Sequence, residues 1–519
     1  MKQNEIKFAL LSVSDKTNID KFAKSLIRNN YKILSTGGTA KFLSSKKIPN
    51  ISISKFTKFD EILEGRVKTL HPIIHAGILA KDKKSIDALK DSHYSLIDIV
   101  AVNLYPFEST ISKANCKFED AIENIDIGGP TMLRAAAKNH ERVTVITDPK
   151  DYKDVIEEID VNNQTSIIMR RKLAIKVFQK ISEYDSIIYH YLTNQEDSEK
   201  STLPLKINIT LEKIDDLRYG ENPHQSASLY NIKFPKVDGF NFKQLAGKDL
   251  SYNNLVDTES ALSCVNQFKD PSCVIVKHAN PCGVSEAKNI MAAYNNAYAT
   301  DPISAFGGII AFNKTVDEKV LKKIINQQFV EVIVAPAYSN KCLEAIKSKP
   351  NIRLLSVDKS NKSMSKLDMK SLQGKFLIQE SDIKKVTPKQ LKIVTIKKPS
   401  KKEIDDLLFA FKVARYVKSN AIVFVKNKKT LGIGAGQMSR IDSTNIAKTK
   451  AIKHGLSLKG CVMASEAFFP FRDNIDLAKK IGVSSIIQPG GSIKDKEIIS
   501  IADKHGLSMV LSGVRVFKH

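Results

Sequence analysis

The sequence predicts an α/β protein with at least two domains. Residues 7–147 alternate between strand-like and helix-like segments, which is typical of a parallel sheet covered by helices. Residues 207–519 repeat this kind of alternation, and the polar segment 194–206, which contains Pro204, separates the two parts. A chain of 519 residues is also too long for a single core, so the length agrees with this division.

The individual elements follow from apolar runs and their flanking turns. In the first part we predict strands at 7–13, 31–34, 96–104 and 142–147, helices at 19–28 and 39–45, and largely helical structure over 149–192. In the second part we predict strands near 273–276, 308–312, 331–335, 421–425, 460–464, 484–488 and 509–512. A lysine-rich polar region at 356–374 divides the second part, which shows no internal sequence repeat.

Composition restricts the class of protein. With 42% apolar and 26% charged residues the chain is globular, and no apolar run approaches the roughly 20 residues that span a bilayer. The polar N-terminus and six scattered cysteines without a CxxC pair favour a reduced, cytoplasmic protein. The net charge of +25 is compatible with nucleic acid, with small polyanionic substrates or with solvated lysines. Because the lysines form no dense patch and no nucleic-acid motif is visible, we favour solvated lysines and predict no nucleic-acid or membrane partner.

Two polar turns in the first part follow consecutive predicted strands. One contains Ser12, Ser14 and Lys16, and the other is Ser35-Thr36-Gly37-Gly38-Thr39. Each alone is more often a helix cap, but together they lie at one edge of a parallel sheet. Since glycines and a helix N-terminus bind anions well, the pair predicts a phosphate site.

A basic loop and a Gly-Gly-Pro turn supply further candidates in the first part. Arg66 and Lys68 lie in the segment 65–72, and Asp126 precedes a predicted helix that carries Arg134 and Lys138 on one face. A solvated basic loop and a structural salt bridge of Asp126 remain alternative interpretations.

The most informative segment of the second part is 273–283, where a buried strand ends in Lys277 and His278. A turn over Ala279–Gly283 is predicted to follow, and this turn would let both side chains face one site. Either group could transfer a proton near neutral pH, although a core histidine beside a snorkelling lysine is an equal alternative. A zinc deaminase site would need a glutamate at Asn280 and a further nearby cysteine, so we predict no catalytic metal.

Several motifs of the chain resemble the bifunctional formyltransferase and IMP cyclohydrolase family of purine biosynthesis. In the first part these are SVSDKT (12–17), GGTAK (37–41), GRVKTLHP (65–72), HAGILA (75–80), NLYPF (103–107), IDIGG (125–129) and RAAAKNH (134–140). In the second part they are RYGENPHQ (218–225), KHANPCG (277–283), DPISAFGG (301–308), VARYVKSNAI (413–422), GIGAGQMSR (432–440) and EAFFPFRD (466–473). The resemblance implies a methylglyoxal-synthase-like, doubly wound cyclohydrolase domain over 1–195. It also implies a formyltransferase domain over 203–519, made of two cytidine-deaminase-like units that meet near 356–390.

The resemblance also implies site residues. Ring closure would use Lys68, Tyr105, Asp126 and Lys138, and the nucleotide would contact Ser12, Ser14, Lys16, Ser35, Thr36, Gly37, Gly38, Thr39, Arg66 and Thr69. Formyl transfer would use His278 as general base, Lys277 at the folate nitrogen or the oxyanion, and Asn420 as donor to the formyl oxygen. Nucleotide or folate contacts are implied for Arg218, Tyr219, Gly307, Glu331, Arg440, Phe468 and Arg515. Glu331 departs from the family, which often has Asp there.

The resemblance finally implies the partners of the protein. They are a purine-precursor nucleotide and 10-formyltetrahydrofolate as cosubstrate, a second copy of the chain in a homodimer, and a structural potassium ion near Asn420. From the sequence alone, a nucleic-acid-binding protein and a metal-dependent deaminase remain the competing functional classes.

Overall fold

The protein is described by a computed structural model that covers residues 6–91, 94–195, 203, 205–234, 239–358 and 367–519. These residues form two compact units, one within Met1–Thr210 and the other mainly from Leu211 to His519. Much of the predicted linker at 194–206 and part of the predicted division at 356–374 lie outside the described residues. The domain limits 1–195 and 203–519 stay a prediction.

The first unit is built on a parallel sheet. Its strands are Lys7–Val13 (β1), Tyr31–Ser35 (β2), Ile51–Ser52 (β3), Ile99–Asn103 (β4) and Thr144–Ile146 (β5). Its helices are Ile19–Arg28 (α1), Gly37–Ser45 (α2), Ile53–Thr57 (α3), Pro72–Leu79 (α4), Lys83–Asp91 (α5), Phe107–Ile111 (α6), Phe118–Glu123 (α7), Gly128–Lys138 (α8), Tyr152–Asn162 (α9) and Ile167–Gln195 (α10). The sheet order is β3-β2-β1-β4-β5, and every pairing is parallel.

This order brings the ends of β1, β2 and β4 together. The central strand β1 is buried on both faces, as expected for a parallel strand between helices. In its register, Leu11 lies opposite Ser35 and Val13 opposite Asn103. The loops that follow these three strands therefore lie at the same edge of the sheet, where α/β proteins bind ligands.

The second unit contains a long mixed sheet and two separate ribbons. Its strands are Thr210–Leu217 (β6), Ala227–Phe234 (β7), Phe242–Ala246 (β8), Ser272–Lys277 (β9), Asn280–Glu286 (β10), Gly308–Phe312 (β11), Val330–Ala335 (β12), Arg353–Val357 (β13), Leu367–Leu372 (β14), Lys375–Glu380 (β15), Lys392–Ile393 (β16), Ile422–Lys426 (β17), Lys429–Gly434 (β18), Val462–Ser465 (β19), Ser485–Gln488 (β20) and Ser508–Leu511 (β21). Its helices are Tyr252–Val265 (α11), Ile290–Thr300 (α12), Pro302–Ala305 (α13), Glu318–Gln327 (α14), Asn340–Ala345 (α15), Lys401–Ala414 (α16), Arg440–Lys453 (α17), Asp473–Ile481 (α18) and Asp495–Lys504 (α19). The ribbons are β6 with β7 and β14 with β15.

The long sheet contains the same arrangement twice. Its order is β16-β21-β20-β19-β17-β18-β10-β9-β11-β12-β13-β8, with β18 and β10 antiparallel at the centre. Each half begins at this centre with a hairpin, which a helix precedes in the chain. Three further strands, parallel to one another, lie beyond the hairpin in each half. The hairpins are β9 with β10 after α11, and β17 with β18 after α16. No sequence repeat marks this duplication, but it agrees with the two similar units that the family resemblance implies.

The predicted fold class is confirmed, and one local prediction is wrong. Residues 280–283 were expected in a turn, but they begin β10, and the turn of the hairpin consists of His278 and Ala279. The register of β10 shifts between Pro281 and Gly283, which marks a bulge. A bulge accommodates a proline without an N–H in an inner strand, and this explains why a Pro-Cys-Gly sequence is extended here.

The glycines of β18 allow a helix to lie against the sheet. A Cβ at Gly434 would lie 1.9 Å from the Ser443 carbonyl oxygen of α17. We expect Gly434→Ala to lower the free energy of unfolding by at least about 2 kcal/mol, because the backbone on both sides must move. Thermal and urea unfolding measure this change, and Gly38→Ala, which meets nothing within 4 Å, is the control. Equal stability of the two variants would contradict the expected close approach.

No helix within the described ranges has both the length and the apolar character needed to cross a membrane.

Candidate functional site

The turns after β1 and β2 meet in the first unit, as the sequence predicts. The Ser12 and Thr36 hydroxyls are 2.7 Å apart, and the Thr39 hydroxyl accepts from the Val13 N–H at 3.0 Å. The first N–H groups of α2, which begins at Gly37, have no partner within the helix. The Ser12 and Thr36 hydroxyls and these N–H groups form a donor set suited to a phosphate. The predicted contact of Thr39 is not supported, because its buried hydroxyl donates to the Val13 carbonyl at 3.1 Å.

Some predicted phosphate ligands instead hold the loops in place. The Ser35 hydroxyl donates to Asn50 at 2.7 Å, and the Ser14 hydroxyl lies 2.8 Å from the Asn103 amide oxygen. Lys16 folds back so that its ammonium donates to the Val13 carbonyl, and burial lowers its pKa. Asn103 lies at the end of β4 and fixes the loop after β1, a role that the sequence alone does not predict.

The basic loop lies beside the anion site. A Cβ at Gly37 would lie 3.9 Å from the Lys68 Nζ, and a Cβ at Gly65 would lie 3.8 Å from it. The Lys68 ammonium therefore lies over the N-terminus of α2. Arg66 forms an exposed ion pair with Glu123, and the Thr69 hydroxyl approaches Gly128 at the start of α8.

Asp126 lies close to Lys68 and Tyr105. Its carboxylate accepts from the Gly129 N–H at 2.8 Å and from the backbone of Tyr105. Burial raises the pKa of Asp126 above its ordinary value, while these hydrogen bonds and the Lys68 charge oppose the shift. The Tyr105 side chain is half exposed. The three predicted cyclisation residues are thus grouped around one open site.

Lys138 is separated from this group. It is the last residue of α8, whereas Asp126 lies just before the first residue, Gly128. At about 1.5 Å per residue, the helix places its two ends roughly 15 Å apart. Lys138 is exposed at the far end, so within one chain the structure does not bring it to Asp126.

The Lys277–His278 segment forms the tip of the β9–β10 hairpin. His278 and Ala279 have φ angles of 54° and 56°, so the backbone leaves extended geometry at His278, as the shared-site prediction required. Such conformations cost L-residues roughly 1–2 kcal/mol each, so external contacts must hold this tip. Asp257 on α11 accepts from the His278 N–H at 3.1 Å and from the Ala279 N–H at 2.7 Å.

The hairpin tip is joined to the loop that carries Asn420. The Asn280 amide oxygen accepts from the Lys418 N–H at 2.9 Å. The Lys277 ammonium donates to the Phe306 carbonyl at 2.7 Å and lies next to Gly307, whereas His278 is exposed. The structure therefore brings the predicted transfer residues and Gly307 into one region of the second unit.

Asn420 is fully engaged by protein groups. Its amide nitrogen donates to the carbonyls of Gln437 and Met438, both at 3.0 Å, and its amide oxygen accepts from Arg440 at 2.8 Å. In this arrangement Asn420 has no amide hydrogen left for a formyl oxygen, because an amide group carries only two. The predicted donor role is therefore unavailable without a rearrangement of this residue.

Arg440 is buried rather than exposed to a ligand. Its guanidinium donates to the Ser465 hydroxyl at 2.9 Å and to the Glu466 carboxylate at 2.5 Å, and only 7% of the residue is exposed. Its contacts orient Asn420, so a direct contact with nucleotide or folate is not supported by this geometry. Glu466, for which the sequence alone predicts no role, is completely buried.

The remaining predicted contacts lie at the surface of the second unit. The Arg218 guanidinium lies 5.4 Å from the Tyr219 ring centroid, and that of Arg515 lies 4.6 Å from the Phe517 ring centroid. Glu331 is paired with Arg353 at 2.7 Å, and Phe468 is 38% exposed. Among the described residues, no group of three or more His, Cys, Asp or Glu side chains could hold a metal ion.

Comparisons with known proteins identify the family of the chain. Residues 136–450, more than half of the chain, match the AICARFT/IMPCHase bienzyme family, and residues 18–131 match the MGS-like domain. A solved structure, "Crystal structure of ForH", is 31% identical; the match covers 36% of this chain and 97% of that chain, with a TM-score of 0.34. The chain therefore belongs to the AICARFT/IMPCHase bienzyme family of purine biosynthesis and is a formyltransferase and cyclohydrolase.

Proposed function

We propose that the chain catalyses the last two steps of IMP synthesis. In the first step, the formyl group of 10-formyltetrahydrofolate is transferred to the 5-amino group of aminoimidazole carboxamide ribonucleotide. In the second step, the carboxamide nitrogen of the product attacks the new formyl carbon and water leaves. The second unit carries the first reaction and the first unit carries the second.

The observation that best supports formyl transfer is the exposed His278 on a fixed hairpin tip next to Lys277. The substrate amine is a poor nucleophile, since its lone pair is delocalised toward the carboxamide. A general base must remove its proton as the new C–N bond forms, and His278 supplies this base. The proton then passes to the folate nitrogen as its bond to the formyl carbon breaks, so that tetrahydrofolate leaves. Lys277 uses one ammonium hydrogen on the Phe306 carbonyl, and the remaining hydrogens stabilise the oxyanion of the formyl group.

Ring closure uses the group around Asp126. The reacting atoms belong to one molecule, so positioning accounts for much of the rate. Lys68 stabilises the charge that develops on the former formyl oxygen, with Tyr105 as a second donor. Asp126 takes a proton from the carboxamide nitrogen and returns it to the leaving hydroxyl. The second proton of the departing water comes from the formamido nitrogen, which loses it as the C=N bond of the ring forms. The N-terminus of α2 and the Ser12–Thr36 pair bind the phosphate.

A structural potassium ion is proposed near Asn420. Glu466 Oε1 is buried, and among the described residues it has no hydrogen-bond partner. Arg440 joins this carboxylate to Asn420. An unpartnered carboxylate oxygen suits a hard cation, and Glu466 would help to hold the ion through this oxygen. We propose no catalytic metal.

We further propose a cytoplasmic homodimer. All six cysteines are free thiols, which fits a reducing compartment. The dimer is supported by the resemblance to the family, as is the sharing of formyltransferase sites between subunits.

The proposed function is tested with purified chain, the aminoimidazole carboxamide nucleotide and 10-formyltetrahydrofolate. Absorbance reports consumption of the folate, and chromatography detects IMP. We expect IMP only when both compounds are present, and we expect IMP without folate when the pre-formylated nucleotide is supplied. Absence of IMP in both reactions would contradict the proposal.

A further inference from the structure

The turn of the β9–β10 hairpin is stabilised by a residue that lies outside the hairpin. Tight hairpin turns with two positive φ angles prefer Asn-Gly or Asp-Gly, whereas this turn has His278 and Ala279. Asp257 binds both backbone N–H groups of the turn through its two carboxylate oxygens. Asp257 belongs to the helix α11, so a separate element of the chain stabilises this turn.

The carbonyl groups of the same turn are also bound. The Asn280 amide donates to the His278 carbonyl at 3.1 Å, and the Ser260 hydroxyl donates to the Ala279 carbonyl at 3.2 Å. The His278 imidazole itself makes no hydrogen bond to the part of the chain that the structure describes. The backbone of the tip is therefore fixed while the imidazole stays available to a ligand.

The second half of the unit has the same contact between a helix carboxylate and a hairpin turn, but its turn contains no histidine. Asp406 on α16 accepts from the Asn427 N–H at 2.9 Å and from the Lys428 N–H at 2.7 Å. These residues have φ angles of 56° and 54°. Asp257 is the sixth residue of α11 and Asp406 the sixth residue of α16, and both helices have 14 residues.

The two hairpins differ in what they present. The first tip carries the exposed imidazole of His278, and Asp257 is only partly buried. The second tip carries Asn427, and the Lys428 ammonium forms an ion pair with Glu286 at 2.5 Å. Both halves thus have a helix carboxylate that accepts from the two N–H groups of the turn. The first half also carries a side chain, His278, that can accept a proton.

We infer that Asp257 is a positioning residue for formyl transfer, which acts by fixing the His278 backbone. This inference rests on the proposed role of His278. A base must lie within hydrogen-bond reach of the substrate amine, and a displacement of about 1 Å costs roughly 100-fold in rate. Loss of one of the two carboxylate contacts frees the turn and moves the imidazole.

The test compares Asp257→Asn with Asp406→Asn in the full-length chain. Each change keeps the side-chain shape but replaces one acceptor oxygen with an NH2 group, so one turn N–H loses its partner. For Asp257→Asn we expect kcat of formyl transfer to fall about 100-fold, with the nucleotide KM changed less than about threefold. For Asp406→Asn we expect a similar or larger decrease in melting temperature and a formyl-transfer rate within about twofold of wild type.

Two results would overturn the inference. One is an unchanged kcat for Asp257→Asn, and the other is an equal loss of kcat in both variants, which would indicate a purely structural role. His278→Ala in the same assay separates this inference from the proposed function. If the wild-type chain transfers no formyl group, the proposed function fails. If His278→Ala retains the rate, the base role of His278 fails and the inference fails with it. If His278→Ala loses the rate while Asp257→Asn does not, only the role of Asp257 fails.

Discussion

The variant His278→Asn is expected to transfer formyl groups about 1,000-fold more slowly than wild type. Its rate of closing the ring of the pre-formylated nucleotide is expected to stay unchanged. An asparagine amide cannot accept the proton that the substrate amine must lose. Asparagine tolerates positive φ angles better than most residues, so the hairpin tip should keep its fold. Steady-state kinetics on each substrate measure both rates, and thermal unfolding checks the fold.

The second hairpin supplies a matched control for this variant. Asn427 occupies the position in β17–β18 that His278 occupies in β9–β10. Asn427→Ala is therefore expected to leave formyl transfer within about twofold, since this side chain lies outside the proposed chemistry. If His278→Asn lost both activities, His278 would have to be assigned a structural role. Full formyl-transfer activity of His278→Asn would remove the general base from the mechanism.

Local sequence signals predict much of the fold that surrounds these sites. The predicted strand at 7–13 has the same limits as β1, and the predicted strands near 273–276 and 308–312 are present as β9 and β11. Ser12 and Thr36 meet because consecutive parallel strands end at one edge, which the alternation of elements already implies. Such features depend on the periodicity of apolar residues and on the order of the elements along the chain, and a single sequence shows both.

A single sequence does not show the contacts that fix the β9–β10 hairpin. Asp257 lies within a helix, and nothing in its neighbourhood marks it as the acceptor for a turn some twenty residues later. Pro281 suggests a turn, yet a bulge places it in β10. Both depend on tertiary pairing, which overrides local propensity.

The structure also changes what the family resemblance implied for individual residues. The resemblance implies ligand contacts for Asn420 and Arg440, but hydrogen bonds inside the protein use the Asn420 amide hydrogens and both terminal nitrogens of the Arg440 guanidinium. A motif match gives the identity of a residue but not its hydrogen-bond partners. The distance between Lys138 and Asp126, in contrast, follows from helix geometry. Lys138 ends the 11-residue helix α8, whereas Asp126 lies just before its start.

The variant Asp126→Asn is expected to lower the rate of ring closure by about 1,000-fold and to leave formyl transfer unchanged. An amide at this position can still accept from the Gly129 N–H, so the start of α8 keeps its hydrogen bond. It cannot take a proton from the substrate carboxamide nitrogen. The measurement is conversion of the pre-formylated nucleotide to IMP, with Arg134→Gln on the exposed face of α8 as a control that retains the rate.

Stability separates this role of Asp126 from a structural one. Burial raises the pKa of the Asp126 carboxyl in the folded protein, so the folded state binds its proton more tightly than the unfolded state does. Above the unfolded pKa the charged carboxylate therefore destabilises the fold, and this penalty disappears as pH falls through both pKa values.

Asp126→Asn has no such charge, so its melting temperature at pH 7 should equal or exceed that of wild type, and the difference should shrink in acid. An aspartate that served only the fold would give the opposite result, with lower stability at pH 7 and retained cyclisation. A stable but inactive variant would show that the buried charge is maintained for chemistry.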